Sequence, residues 1–184
     1  MQLTLETHRL SLQCLNSASA LAVRDFYLEN QPYFDPYELT RSEHFYTIGF
    51  QTAVLDWEWK EMQAKHSLRY FLFLKNEPST IIGSVNFSDI RFGCMQKASL
   101  GYKIYHRFQH QGYAYEACIK CLEIAFQEYN LHRIEAHIMP SNQPSLHLIQ
   151  RLGFVCEGLE HESAEINHKW EDLYRFSKLN PHTL

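Results

Sequence analysis

The sequence predicts a mixed α/β fold in which helices flank one central sheet, and three observations carry that expectation. Residues 97–138 read strand, helix, strand: Lys97 to Tyr105 and Arg133 to Ile138 are extended, while Tyr113 to Tyr129 repeats its apolar residues at helical spacing. Tyr70 to Phe87 is aromatic, aliphatic and β-branched around Lys75-Asn76-Glu77-Pro78, the pattern of an antiparallel hairpin. Two more extended stretches, near Phe154 to Glu160 and Trp170 to Phe176, close the chain.

In order along the chain, Arg9 to Leu15 alternates Leu10 and Leu12 with Ser11 and Gln13, the period of a half-buried strand. Ser17 and Ser19 offer caps for a helix running toward Asn30. The Gln31-Pro32 step should end it, because proline disfavours the α conformation in the residue before it. From Ser42 to Lys65, Phe45, Ile48, Leu55, Trp59 and Met62 recur near helical spacing. A polar loop, Asp89 to Gln96, separates the hairpin from the strand at Lys97. The helix from Tyr113 carries Ala114, Ala117, Cys118, Cys121, Leu122, Ala125 and Phe126 on one stripe. A strand, helix, strand succession demands a parallel or splayed pairing of its two strands. Asn142 is a good N-cap, Pro144 suits the first turn behind it, and Gly153 can take the positive φ that stops the helix after Leu152.

With 184 residues, 45% hydrophobic and 21% charged, the chain has the composition of one globular domain, 1–184, around one core. A net charge of -4 and a pI near 6.2 argue against a general nucleic-acid binder, which needs a basic face. The N-terminal residues lack the basic start and apolar stretch of a secretory signal, and no apolar run approaches the ~20 residues of a membrane span. A cytoplasmic protein without membrane or nucleic-acid partners is therefore expected. The five cysteines read as reduced core residues. Cys118-x-x-Cys121 lacks the second pair a tetrahedral zinc site needs, so no metal is expected.

The turn Arg107-Phe108-Gln109-His110-Gln111-Gly112-Tyr113-Ala114-Tyr115-Glu116-Ala117 holds the most chemistry. Gly112 and the small Ala114 at the start of a helix leave backbone N–H groups uncovered where the helix dipole favours an anion, in outline a pyrophosphate cradle. Gln109-x-x-Gly112-x-Ala114 resembles the Q/R-x-x-G-x-G/A signature of the GNAT acetyltransferases, with Leu100-Gly101-Tyr102 before it and His132-Arg133-Ile134-Glu135-Ala136 after it. Pro140-x-Asn142-x-x-Ser145 and Arg151-Leu152-Gly153-Phe154 resemble the second half of that family's core in order and spacing. The resemblance runs nearly end to end and points to the RimJ/RimL branch, the ribosomal-protein alanine/serine N-acetyltransferases, with the RimJ subgroup the closer. Thr7-x-Arg9-Leu10-x-Leu12 resembles that branch's opening strand, and Glu29-Asn30 with Tyr33-Phe34 its substrate-side helix and loop. Ile82-Gly83-x-Val85-Asn86-Phe87-Ser88 resembles its third strand, and Asn167-x-Lys169-Trp170-x-Asp172 its penultimate turn and strand.

The resemblance implies a GNAT sheet splayed between the strand ending at Tyr105 and the one beginning at Arg133, so that acetyl-CoA and amine enter from opposite faces. It implies that amides of Gln109, His110, Gln111, Gly112, Tyr113 and Ala114 bind the pyrophosphate of acetyl-CoA. The pantetheine arm would pair as an extra strand with Ile104 and Tyr105, Asn142 would hold the pantetheine or the helix start, and Ser145 would lie near the sulfur. Read as residues alone, Asn142 is also a plain cap and Ser145 an exposed hydroxyl.

Many members place a Tyr donor where this chain has Ile149, which leaves Ser145 as the candidate hydroxyl donor to the departing thiolate. Where some members carry Glu, this chain has His137, a candidate base acting directly or through water. Glu135, on the same side of the strand, is the alternative, and water alone a third. The implied reaction is direct attack, in a ternary complex, by the N-terminal α-amine of a ribosomal or other protein. A small amine such as a polyamine or antibiotic stays open as acceptor, as does a catalytically silent CoA-binding regulator, because fold does not fix substrate. A homodimer is left open as the assembly.

Overall fold

The computed structural model describes residues 2–181. Alternating residues build β1 (Thr4–Glu6), β2 (Leu10–Gln13), β3 (Leu68–Leu74), β4 (Glu77–Arg91), β5 (Lys97–Ile104), β6 (Arg133–Ile138), β7 (Val155–Ile166) and β8 (Lys169–Leu179). The helices are α1 (Ala20–Phe34), α2 (Ile48–Gln63), α3 (Tyr113–Gln127) and α4 (Gln143–Arg151). The strands form one open sheet in the order β1-β2-β3-β4-β5-β6-β8-β7. Every neighbouring pair is antiparallel except β5 with β6.

Period-two alternation gives the sheet two buried faces. On one, Leu72, Val85, Leu100, Ile134 and Ala136 pack with Cys118, Cys121, Leu122 and Phe126 of α3 and Ile149 of α4. On the other, Phe71, Phe73 and Ile81 pack with Val23, Phe26 and Tyr27 of α1 and Leu55 of α2. Burial pushes the thiols of Cys118 and Cys121 far above their usual range and that of Cys14 up to about 12. These cysteines are neutral packing groups.

Several boundaries differ from the sequence expectation. The first helix does not stop at Gln31: Pro32 lies inside it and α1 continues to Phe34. A proline in the last turn removes one N–H bond, and burial of Phe34 in the same stripe as Phe26 and Asn30 outweighs that loss. Neither Ser17 nor Ser19 supplies the side-chain cap; Asn16 accepts from Ala18 N ahead of a short 3-10 turn. Pro78 falls within β4, where the register with β3 shifts and a missing N–H is tolerated. The added edge strand β1 pairs with β2, and the closing hairpin β7–β8 is longer than expected at both strands. Among the described residues no helix is long and apolar enough to cross a membrane.

Candidate active site

The one parallel pairing is short. β5 and β6 are in register only through Lys97 with Arg133, Ala98 with Ile134 and Ser99 with Glu135. Beyond that point β5 stays with β4 as far as Ile104 opposite Gly83, while β6 stays with β8 as far as Ile138 opposite Tyr174. The two strands therefore diverge, and a wedge opens between them toward the C-terminal end of β5. Tyr105 N donates to Ile82 O at 2.9 Å, so by the antiparallel alternation residues 103 and 101 also face β4, while the backbone groups of Tyr102 and Ile104 face the wedge.

At the end of β5 the chain turns into α3. Tyr105 is not a free edge, since its N–H is held by Ile82 and its carbonyl accepts from Phe108 N at 2.8 Å. Of the pair read in the sequence, Ile104 turns its backbone toward the wedge and Tyr105 toward β4, and Tyr102, two residues before Ile104, also faces the wedge. Gln109 Nε2 donates to Ile104 O at 3.2 Å and folds the turn against the strand. His110 and Gly112 both take positive φ, at 60° and 80°. Backbone of this kind curls successive N–H groups around a concavity suited to an anion, and here it runs directly into the helix N-terminus. No side chain caps α3, whose first amides at Tyr113 and Ala114 stay open, while Glu116 N bonds Gly112 O. An added Cβ on Gly112 would meet only Arg9 Nη2, at 3.4 Å, so glycine is required there by the backbone angle and not by crowding.

The buried Asn30 of α1 fixes this turn from the other face, accepting from His106 N at 2.9 Å and donating to Phe26 O at 2.8 Å. The sequence places Asn30 at the end of the first helix, in a substrate-side helix and loop by resemblance, and gives no local signal for its distant partner.

Across the wedge, Asn142 caps α4 by accepting from Ser145 N at 3.2 Å. Tyr102 reaches over from β5 and donates its hydroxyl to Ser145 O at 3.2 Å, tying α4 to the splayed strand. Burial, then the neighbouring Cys118, pushes the Tyr102 phenol well above its usual range, so it stays protonated and serves as a donor. Its period-two relation to Ile104 was legible in the sequence, but its partner on α4 was not. Ile149 is fully buried among core residues and offers no polar atom.

Glu135 and His137 lie on the opposite face of β6 from Ile134, Ala136 and Ile138, the face shared with α1 and α2. Glu135 is bound by Lys97 Nζ at 2.8 Å and Arg133 Nε at 2.7 Å. Burial raises its pKa, but those two cations outweigh burial and hold the carboxyl below the usual range, which makes it a poor proton acceptor. His137 stands past the three residues of β6 that pair with β5, opposite Arg175 of β8 and exposed, with Nε2 at 3.5 Å from Glu160 of β7. Glu160 also meets Arg175 Nη1 at 3.2 Å. It comes from a strand read as ending there, which is why sequence reasoning did not single it out.

The same face is walled by the segment after α1. Glu38 bridges Lys103 of β5 and Arg41, Leu39 forms a bridge with Ile166, and Lys103 lies over the rings of Tyr27 and Phe34 at 5.0 and 5.4 Å. The amides of the 109–114 turn and Ser145 thus approach the wedge from the α3 side, and His137 from the α1 side. Among the described residues no three His, Cys, Asp or Glu side chains gather as a metal site.

A family model described as an acetyltransferase (GNAT) domain matches residues 9–155. The chain is 32% identical over 169 residues to the ribosomal protein uS5 alanine N-acetyltransferase of Escherichia coli (strain K12), covering 91% of this chain and 86% of that one. The crystal structure of a ribosomal-protein-S5-alanine acetyltransferase from Vibrio fischeri superposes with a TM-score of 0.93 at 27% identity, over 98% of both chains. Mycobacterium smegmatis RimJ, solved in complex with CoA-disulfide, shares the fold with a TM-score of 0.87 at 22% identity, over 92% of this chain and 81% of that one.

Proposed function

This chain belongs to the acetyltransferase (GNAT) domain family and is an N-acetyltransferase, and from that premise we propose that it moves an acetyl group from acetyl-CoA to the N-terminal α-amine of a ribosomal or other protein. The observation that carries this reading is the divergence of β5 from β6 beyond Ser99 and Glu135, with the open amides of the 109–114 turn at the end of the wedge. Amides of Gln109 to Ala114 would hold the pyrophosphate, and the edges of Tyr102 and Ile104 the pantetheine. The Ser145 hydroxyl would donate to the sulfur as negative charge develops there. His137, backed by Glu160, would take the proton of the attacking ammonium.

An α-amine, with a pKa of ~7.7 to 8.0, is neutral far more often at pH 7 than a lysine near ~10.4, so a modest base suits N-terminal acceptors. The test is intact-mass spectrometry and CoA release with Ala- and Ser-starting peptides, the same peptides with blocked N-termini and an internal lysine, and spermidine. Acetylation confined to the free N-termini supports the reading. Faster modification of the blocked peptides or of spermidine overturns the acceptor, and CoA binding without turnover on every acceptor overturns catalysis.

A further inference from the structure

The turn joining β1 to β2 lies against the first turn of α3, although more than a hundred residues separate them in the chain. One carboxylate makes the junction. Glu116 accepts from Thr7 Oγ1 at 2.6 Å, from Arg9 N at 2.8 Å and from Arg9 Nε at 2.7 Å. Burial raises its pKa, but these donors outweigh burial and hold it below the usual range, so Glu116 stays ionised. The Arg9 guanidinium also lies over the Tyr113 ring, 4.4 Å from its centroid. With Nε held by Glu116 and its plane set by the ring, Arg9 directs Nη1 to Gln111 O at 2.9 Å.

That last bond has a geometric consequence. The carbonyl of Gln111 and the N–H of Gly112 belong to one trans peptide and point in opposite directions. Holding the carbonyl toward Arg9 turns the Gly112 N–H to the opposite side of that peptide. A cation on the carbonyl also polarises the peptide, which strengthens its N–H as a donor. We propose that Arg9 is a positioning residue for the diphosphate of acetyl-CoA. It acts from behind the Gln111–Gly112 peptide, aiming and polarising that amide without touching the ligand, and Glu116 fixes it in place. The inference rests on the acetyl-CoA reading above and adds a residue on a different element to it.

The experiment compares wild type, Arg9→Met and Arg9→Lys with two acetyl donors on one peptide acceptor. The donors are acetyl-CoA and S-acetylpantetheine, which lacks the diphosphate. Arg9→Met is expected to raise the KM for acetyl-CoA about tenfold, the scale of one hydrogen bond to a charged group, with kcat within about twofold. Its kcat/KM for S-acetylpantetheine should stay within about twofold of wild type. Arg9→Lys keeps a cation beside Glu116 and so preserves the fold should Arg9→Met lose it. A lysine keeps the charge but lacks the planar fork that serves Glu116 through Nε and Gln111 through Nη1 in fixed directions, so the same selective loss is expected, smaller in size. Equal losses with both donors, or unchanged acetyl-CoA kinetics in both variants, overturn the proposal. Failure of the wild type to use acetyl-CoA at all would instead sink the functional reading.

Discussion

Ser145 and His137 approach the wedge from opposite faces of the sheet, and that separation lets their contributions be read apart. Ser145 needs to act only once charge builds on the sulfur, so Ser145→Ala should lower kcat by roughly tenfold to a hundredfold and leave the KM for acetyl-CoA within about twofold. Its backbone is fixed independently of the hydroxyl, by Asn142 and Tyr102, so the substitution should not disturb the helix start. Steady-state kinetics at saturating acceptor checks this, and an unchanged kcat would retire Ser145 in favour of water or a backbone donor. For His137→Gln, kcat/KM for an Ala-starting peptide should fall roughly a hundredfold at pH 7, the low end of what a general base supplies. The deficit should shrink above the α-amine pKa of ~8, where neutral amine is present without a base. A deficit independent of pH would mean that His137 shapes the site and does not take the proton.

At the scale of elements, what the sequence made legible was what local pattern decides. The bounds of β6 fall where Arg133 to Ile138 placed them, and α4 begins behind Asn142 and ends before Gly153, whose φ is 80°. The bounds of α1 were misread because Pro32 carries a strong local penalty that only the distant packing of Phe34 overrides. Among the candidate site residues, those on the β5–α3 turn and at the α4 cap carry a local pattern in sequence. Glu160, Tyr102 and Asn30 act through partners on other elements, which no spacing rule reveals.

One such cross-element group yields a pH prediction. Glu157 of β7 is bound first by Arg133 of β6 and then by Ser177 of β8, and its carboxyl is held down at about 2. A depressed folded pKa gives stability that is present above the unfolded value near ~4.3 and lost as pH falls toward about 2. Because the Glu157 side chain still reaches solvent, water and salt screen the effect and keep it small. Denaturant midpoints of wild type and Glu157→Gln should differ at pH 6 and converge as pH drops through that window. A gap that stays constant to pH 2.5 would show that the Arg133–Glu157 pair does not contribute to stability.

In the whole molecule, two buried faces of one sheet are joined at the wedge, where the central strands β5 and β6 share only three paired positions. A ligand lying in the wedge would span the β5 edge, the first turn of α3 and the start of α4, supplying pairing that the sheet itself lacks. It binds the folded chain and not the unfolded one, so at about 100 times its Kd it adds ~2.7 kcal/mol. For a chain of this length each kcal/mol moves the melting midpoint by about 2–4 °C, so acetyl-CoA should raise it by roughly 5–11 °C. Gly112→Val should melt lower without ligand, because a β-branched residue is strained at a φ of 80°. More tellingly, it should lose most of the acetyl-CoA shift, since a turn that relaxes from that angle no longer gathers its amides. Thermal melts of both proteins, with and without millimolar acetyl-CoA, decide the matter. No shift in wild type would refute binding in the wedge, and an equal shift in Gly112→Val would move the phosphate site away from the 109–114 turn.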